Sequence, residues 1–103
     1  MNRNHSEPTG VSEAALAELS RAFSRCDDAE LIRHFLLSLF TPAEADDIGK
    51  RWALVRLLDE GNTQRAIASE LHLSLCKITR GSRELKKADS PFRKMMDIAD
   101  KNG

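Results

Sequence analysis

Helix-start signals punctuate this chain at short intervals, and they leave room for little besides a fold of short helices. Thr41-Pro42-Ala43-Glu44 is the strongest of them. Threonine can cap free amides, proline suits the first helical position because its missing N–H would be unpaired there, and Glu44 can reach back toward the cap. Ser74 and Ser90-Pro91 repeat parts of this pattern, Asn62 or Thr63 can cap another helix, and Ser12 and Asp28 offer two further starts. Between these signals apolar residues recur three and four apart, which puts them on one side of a helix.

Composition agrees where it bears on this point. Leucine and alanine number 13 and 12, valine and isoleucine together only 7, and tyrosine is absent, so strand formers are scarce. The expected fold class is all-α. A chain of 103 residues suits one domain. Residues 1–11, with Pro8 and Gly10 among polar groups, are expected to form a flexible N-terminal arm, and residues 12–100 the single helical domain. No apolar run approaches the ~18–20 residues of a membrane span. Polar Asn2, Arg3, Asn4 and His5 have no apolar segment behind them, so the expected compartment is the cytoplasm. Cys26 and Cys76 are too few for a disulfide framework and read as reduced packing residues, with a redox role for Cys76 the alternative.

Six helices are expected. Leu16, Leu19, Phe23 and Cys26 share a face of the first, capped by Ser12. The second, after Asp28, carries Leu31, Ile32, Phe35, Leu36, Leu37, Leu39 and Phe40 and is apolar around much of its girth, so it needs neighbours on several sides. Ile48, Trp52, Val55 and Leu58 mark the inner face of the third, which ends at Gly61, a residue tolerant of positive φ. A short fourth helix from Gln64 to Leu71 turns inward Ile67, Ala68 and Leu71. A fifth, from the Ser74 cap to about Lys87, has an apolar stripe of Leu75, Ile78 and Leu85. The sixth starts at Ser90-Pro91 and carries Phe92, Met95, Met96 and Ile98.

Residues 64–87 have the spacing of a helix-turn-helix. Ala68 is small where the two helices cross, Ile67 and Leu71 can meet Leu73 and Ile78, and Ser74 satisfies the amides opening the second helix. A major groove about 12 Å wide admits one such helix. Ser74, Leu75, Cys76, Lys77, Thr79 and Arg80 then become candidate contacts, Arg83 and Lys86 extend the basic face, and Gln64 and Arg65 would lie against the phosphate backbone. His72 stands where such a turn commonly has glycine. Charge points the same way. The net charge is zero, yet residues 1–60 hold 7 basic and 11 acidic groups and residues 61–103 hold 9 and 5, an asymmetry that suits a polyanionic partner. The plain alternative is an amphipathic helix pair with a solvated basic face.

The strings TPAEADDIGKR, Gln64-Arg65, ITRGS and LKKA together resemble the tryptophan operon repressor family of bacteria, over about residues 31–92. The resemblance implies an intertwined six-helix homodimer whose two helix-turn-helix units enter a palindromic double-stranded DNA operator, with half-sites ~34 Å apart. It implies no cofactor beyond L-tryptophan as corepressor, lodged between the third helix and the recognition helix. The matching ligand positions are Thr41, Arg51, Arg80, Gly81 and Glu84, with backbone carbonyls near Leu39 and Phe40. In that arrangement a guanidinium forks onto the ligand's carboxylate, arginine stems sandwich the indole, and Gly81 permits its close approach. Arg51 and Arg80 as plain surface cations, and Gly81 as an aid to helix crossing, remain the alternatives. The sequence departs from the family pattern in a shorter Gly61–Gln64 connection, Lys77 in place of threonine and Glu84 in place of a small hydroxyl.

No catalytic or metal-binding constellation accompanies these features. His5, His34 and His72 are scattered, and Asp27-Asp28 and Asp46-Asp47 suit helix starts and solvated faces. The competing functions are a regulator of this fold that ignores tryptophan and a dimeric adaptor for an acidic protein.

Overall fold

In a computed structural model that describes residues 10–101, the chain forms six α-helices. They are α1 (Gly10–Arg25), α2 (Ala29–Leu39), α3 (Pro42–Asp59), α4 (Gln64–Leu71), α5 (Leu75–Lys86) and α6 (Pro91–Lys101). The capping chemistry explains most boundaries. Asp28 accepts from the Leu31 amide at 3.2 Å, Thr63 from Ala66 at 3.1 Å and Ser74 from Lys77 at 3.3 Å. Thr63, rather than Asn62, caps α4. Asn62 instead helps close α3, its amide and side chain both donating to the Leu57 carbonyl beyond Gly61, which has φ +95°. Ser12 is not a cap: α1 already runs through Gly10 and Val11, so the end of the expected arm is helical, while its residues 1–9 lie outside the described ones.

The described residues divide into two compact units, residues 10–41 and 42–101. In the first, α1 and α2 meet through Phe23 and Phe35, whose rings stand edge to face with centroids 5.9 Å apart. Leu19, Phe23 and Cys26 are half-buried, whereas Leu16, expected beside them, is exposed. Neither helix contains a fully buried residue. Leu31, Phe35, Leu37 and Leu39 are all exposed, as befits a helix too apolar to be satisfied by one neighbour.

In the second unit α3 packs on α4 and α5, α4 on α5, and α5 on α6. Leu54, Ile67 and Ile78 form the core, with Leu57, Leu58, Ala68, Leu71 and Leu73 around them. Burying a side chain such as Ile78 contributes about 1.5–3 kcal/mol. The inner face of α3 therefore differs from the expected one: Val55 is buried and Leu58 half-buried, but Ile48 and Trp52 are exposed and Leu54 takes the central place. Leu75, expected in the apolar stripe of α5, is also exposed. Two guanidinium–carboxylate bonds of 2.7 Å, Arg56 to Asp100 and Arg93 to Asp59, join α3 and α6 in antiparallel order. The Asp59 carboxyl is held below the ordinary carboxylate range by its bond from Arg93. No helix among the described residues is long and apolar enough to cross a membrane.

Candidate functional site

Three residues, His72, Leu73 and Ser74, connect α4 to α5. His72 ends α4 in the left-handed region at φ 56°, ψ 45°, donating its amide to the Ala68 carbonyl. The strain that a side chain incurs there is on the order of 1 kcal/mol, and the buried contacts of Leu73, Ile67 and Ile78 hold the turn in place. Ser74 then opens α5. Its oxygen is engaged with the Lys77 amide, so it acts first as a cap.

With Ile78 and Ser82 buried, α5 turns its opposite side outward. Leu75, Cys76, Lys77, Thr79, Arg80, Arg83 and Lys86 are all exposed, as are Gln64 and Arg65 on α4. The Thr79 hydroxyl lies 3.4 Å from the Gln64 carbonyl oxygen and donates to it, linking the start of α4 to the middle of α5. Leu75, Cys76, Thr79, Arg80, Arg83 and Glu84 line a shallow hollow on this surface. Its cations are unlike those of α3. Lys50 and Arg51 pair with Asp46 and Asp47, and Arg56 with Asp100, whereas Arg65, Arg80, Arg83 and Lys86 form no ion pair among the described residues.

On its other flank α5 borders a cavity of about 390 Å³. Arg51, Leu54 and Val55 of α3 form one wall, Leu73 the turn side, Lys77, Arg80, Gly81 and Glu84 of α5 the facing wall, and Phe92 of α6 an aromatic edge. Four of the residues matched to the ligand site, Arg51, Arg80, Gly81 and Glu84, thus meet in one place. Leu39, Phe40 and Thr41 belong to the α1–α2 unit. Phe40 ends α2 with its amide donating to the Leu36 carbonyl at 3.0 Å.

Gly81 has a packing reason of its own. A Cβ there would stand 2.8 Å from Cδ2 of Leu54, so the glycine lets α5 cross α3 closely. Glu84 faces the cavity but answers to Lys87, whose ammonium donates to it at 2.8 Å. That bond, reinforced by the Lys87 and Arg80 charges, lowers the Glu84 pKa.

Sequence reasoning did not single out Leu54, Val55, Leu73 or Phe92 as cavity residues. Asp47, expected on sequence grounds to be a solvated charge, accepts from Arg51 at 3.1 Å and from Lys77 at 3.4 Å. The i, i+4 spacing of Asp47 and Arg51 signalled the first bond, while the second depends on which helix lies opposite. Among the described residues no group of three or more His, Cys, Asp or Glu could hold a metal ion.

Three relatives are each named as a Trp operon repressor homolog. A Trp operon repressor homolog of Chlamydia trachomatis serovar L2 is 41% identical over 63 residues, which cover 59% of this chain and 67% of the relative. The homolog of Actinobacillus succinogenes is 44% identical over 61 residues, 58% of this chain and 60% of its own length. The homolog of Xylella fastidiosa strain M23 is 32% identical over 74 residues, 71% of this chain and 80% of its own. No solved structure matches the chain at a significant level. The family described as Trp repressor protein matches residues 14–99, through all but the first turn of α1 and into the last turn of α6, and the chain therefore belongs to the Trp repressor family.

Proposed function

We propose that this chain is a sequence-specific, DNA-binding transcriptional repressor that acts in the cytoplasm as a homodimer, with α4, the His72-Leu73-Ser74 turn and α5 as its helix-turn-helix. Family membership makes it a non-catalytic regulator. The observation that carries the DNA reading is the set of cations with no ion pair among the described residues, Arg65, Arg80, Arg83 and Lys86, on the outward side of a helix pair whose inward side is locked by Ile67 and Ile78. Such cations release counterions on meeting phosphates, so binding should weaken steeply with salt. Thr79, Cys76 and Leu75 are the side chains available to base edges, and Gln64, Arg65 and Lys77 lie toward the backbone.

Pairing of two chains is supported by what one chain leaves uncovered. Among the described residues only Leu54, Val55, Ile67, Ile78 and Met96 are fully buried apolar residues, whereas Leu31, Phe35, Leu37, Leu39, Ile48, Trp52, Met95 and Ile98 are exposed. A second copy of the same chain would cover such surface and bring two α5 helices to successive grooves, with two-fold symmetry in the operator.

L-Tryptophan is the proposed corepressor, held in the cavity beside α5. Arg80 can fork onto its carboxylate, and Arg51 and Phe92 offer flat or stem surfaces to an indole. The acidic Glu84 on the cavity wall favours a second reading, in which a ligand bearing an added cationic group occupies the same cavity. Selection of binding sites from a pool of random duplexes, with and without L-tryptophan, tests the repressor reading and the corepressor together. Enrichment of a two-fold-symmetric site that needs tryptophan is the expected result. Enrichment indifferent to tryptophan removes the corepressor, and no enrichment in either condition removes the repressor reading.

A further inference from the structure

Lys77 differs from the other outward cations of α5. Arg80, Arg83 and Lys86 form no ion pair among the described residues, but the Lys77 ammonium reaches across to α3 and donates to Asp47 at 3.4 Å. Asp47 holds Arg51 with its other oxygen at 3.1 Å, so one carboxylate gathers two of the cations that line the cavity. Lys77 stands in the first turn of α5, the end from which a helix in the major groove reaches bases and flanking phosphates. Its charge is thus drawn toward α3 at the place where DNA would need it. Among the described residues the neighbouring Asp46 makes no such link, pairing with Lys50 within α3 at 3.2 Å.

We infer that Asp47 is a positioning residue for Lys77: it tethers the ammonium to α3 and restrains the free protein from engaging duplex DNA. The inference rests on the reading of α5 as the DNA-facing helix. Both partners remain partly open to solvent, at 53% and 36% of their side-chain surface, so the tether is screened by salt and can be exchanged for a phosphate. That makes Asp47 an internal competitor of the DNA backbone. Neutralising it frees a cation already on the correct surface and adds about one phosphate contact to the interface.

The test is anisotropy of a labelled random-sequence duplex titrated with the full chain across a salt series. Asp47→Asn should bind about fivefold more tightly at low salt, with the slope of log affinity against log salt steeper by about 0.9. Asp46→Asn, which removes the same charge one residue away, should change affinity by less than about twofold. Asp47→Glu should restore wild-type binding, and the gain of Asp47→Asn should vanish in a Lys77→Ala background. Lys77→Gln alone should cost less affinity than Arg83→Gln, because the tethered cation contributes less. Equal gains from Asp46→Asn and Asp47→Asn, or a gain that survives Lys77→Ala, would overturn the tether. Failure of the wild type and every variant to bind duplex at the lowest salt would instead remove the DNA reading, and the tether with it.

Discussion

The two units of this chain solve the burial problem differently. Residues 42–101 bring α3, α4 and α5 around Leu54, Ile67 and Ile78, while α1 and α2 meet at an aromatic pair and bury nothing fully. The more apolar helix is in the less buried unit. Hydrophobicity alone therefore does not mark the core of a single chain. It marks surface that needs covering, and in α2 the cover must come from beyond α1.

Substitution at Ile78 should give the largest effect on this contrast. Ile78→Ala removes a side chain with no exposed surface and should cost roughly 2–5 kcal/mol in urea melts. A loss under 1 kcal/mol would mean that the second unit lacks the core described. Leu37→Lys sharpens the other half of the comparison. On a solvated helix face the change should cost less than about 0.5 kcal/mol. If a second copy covers Leu37, it should cost about 2 kcal/mol or more and shift sedimentation toward the monomer. An unchanged oligomer would argue that α2 does not supply the dimer surface.

Gly81→Ala should destabilise by about 1 kcal/mol, since crowding against Leu54 outweighs the helical preference of alanine. The cost should shrink in a Leu54→Ala background, and equal costs in both would detach the glycine from the helix crossing. His72→Gly should raise stability by about 0.5 kcal/mol, because relief at φ 56° is partly cancelled by the greater freedom of glycine when unfolded. A lower melting temperature would show that the imidazole makes a compensating contact.

The smallest expected effect is that of acid on the α3–α6 bridge. Asp59 has a lowered pKa in the folded chain through its bond from Arg93, so its contribution is complete above the ordinary value of 3.8 and declines as pH falls through the lower folded value. Asp59→Asn should therefore flatten the acid limb of the stability curve while leaving its slope near neutrality unchanged. An altered slope near pH 7 would contradict the assignment.

Much of the candidate interface was legible before any tertiary information. A cap at Asn62 or Thr63 and another at Ser74, the Ile67-to-Ile78 spacing and the basic residues of α5 marked the bounds of both helices to within a residue or two and their outward side, because caps and periodicity act within a few residues. The strain at His72 was legible for the same reason. Leu54, Phe92 and Asp47 were not, although each lies in a helix whose bounds were readable.

Local chemistry, acting over one or two turns, determined where helices begin and end and which charges α5 displays. Tertiary packing decided that Leu54 rather than Trp52 would be buried, that Gly81 would meet it, and that Lys77 would reach Asp47 thirty positions away. A helix can turn several of its sides inward at nearly equal local cost. The neighbour that arrives across the gap selects among them, and its position is set by every other contact in the unit.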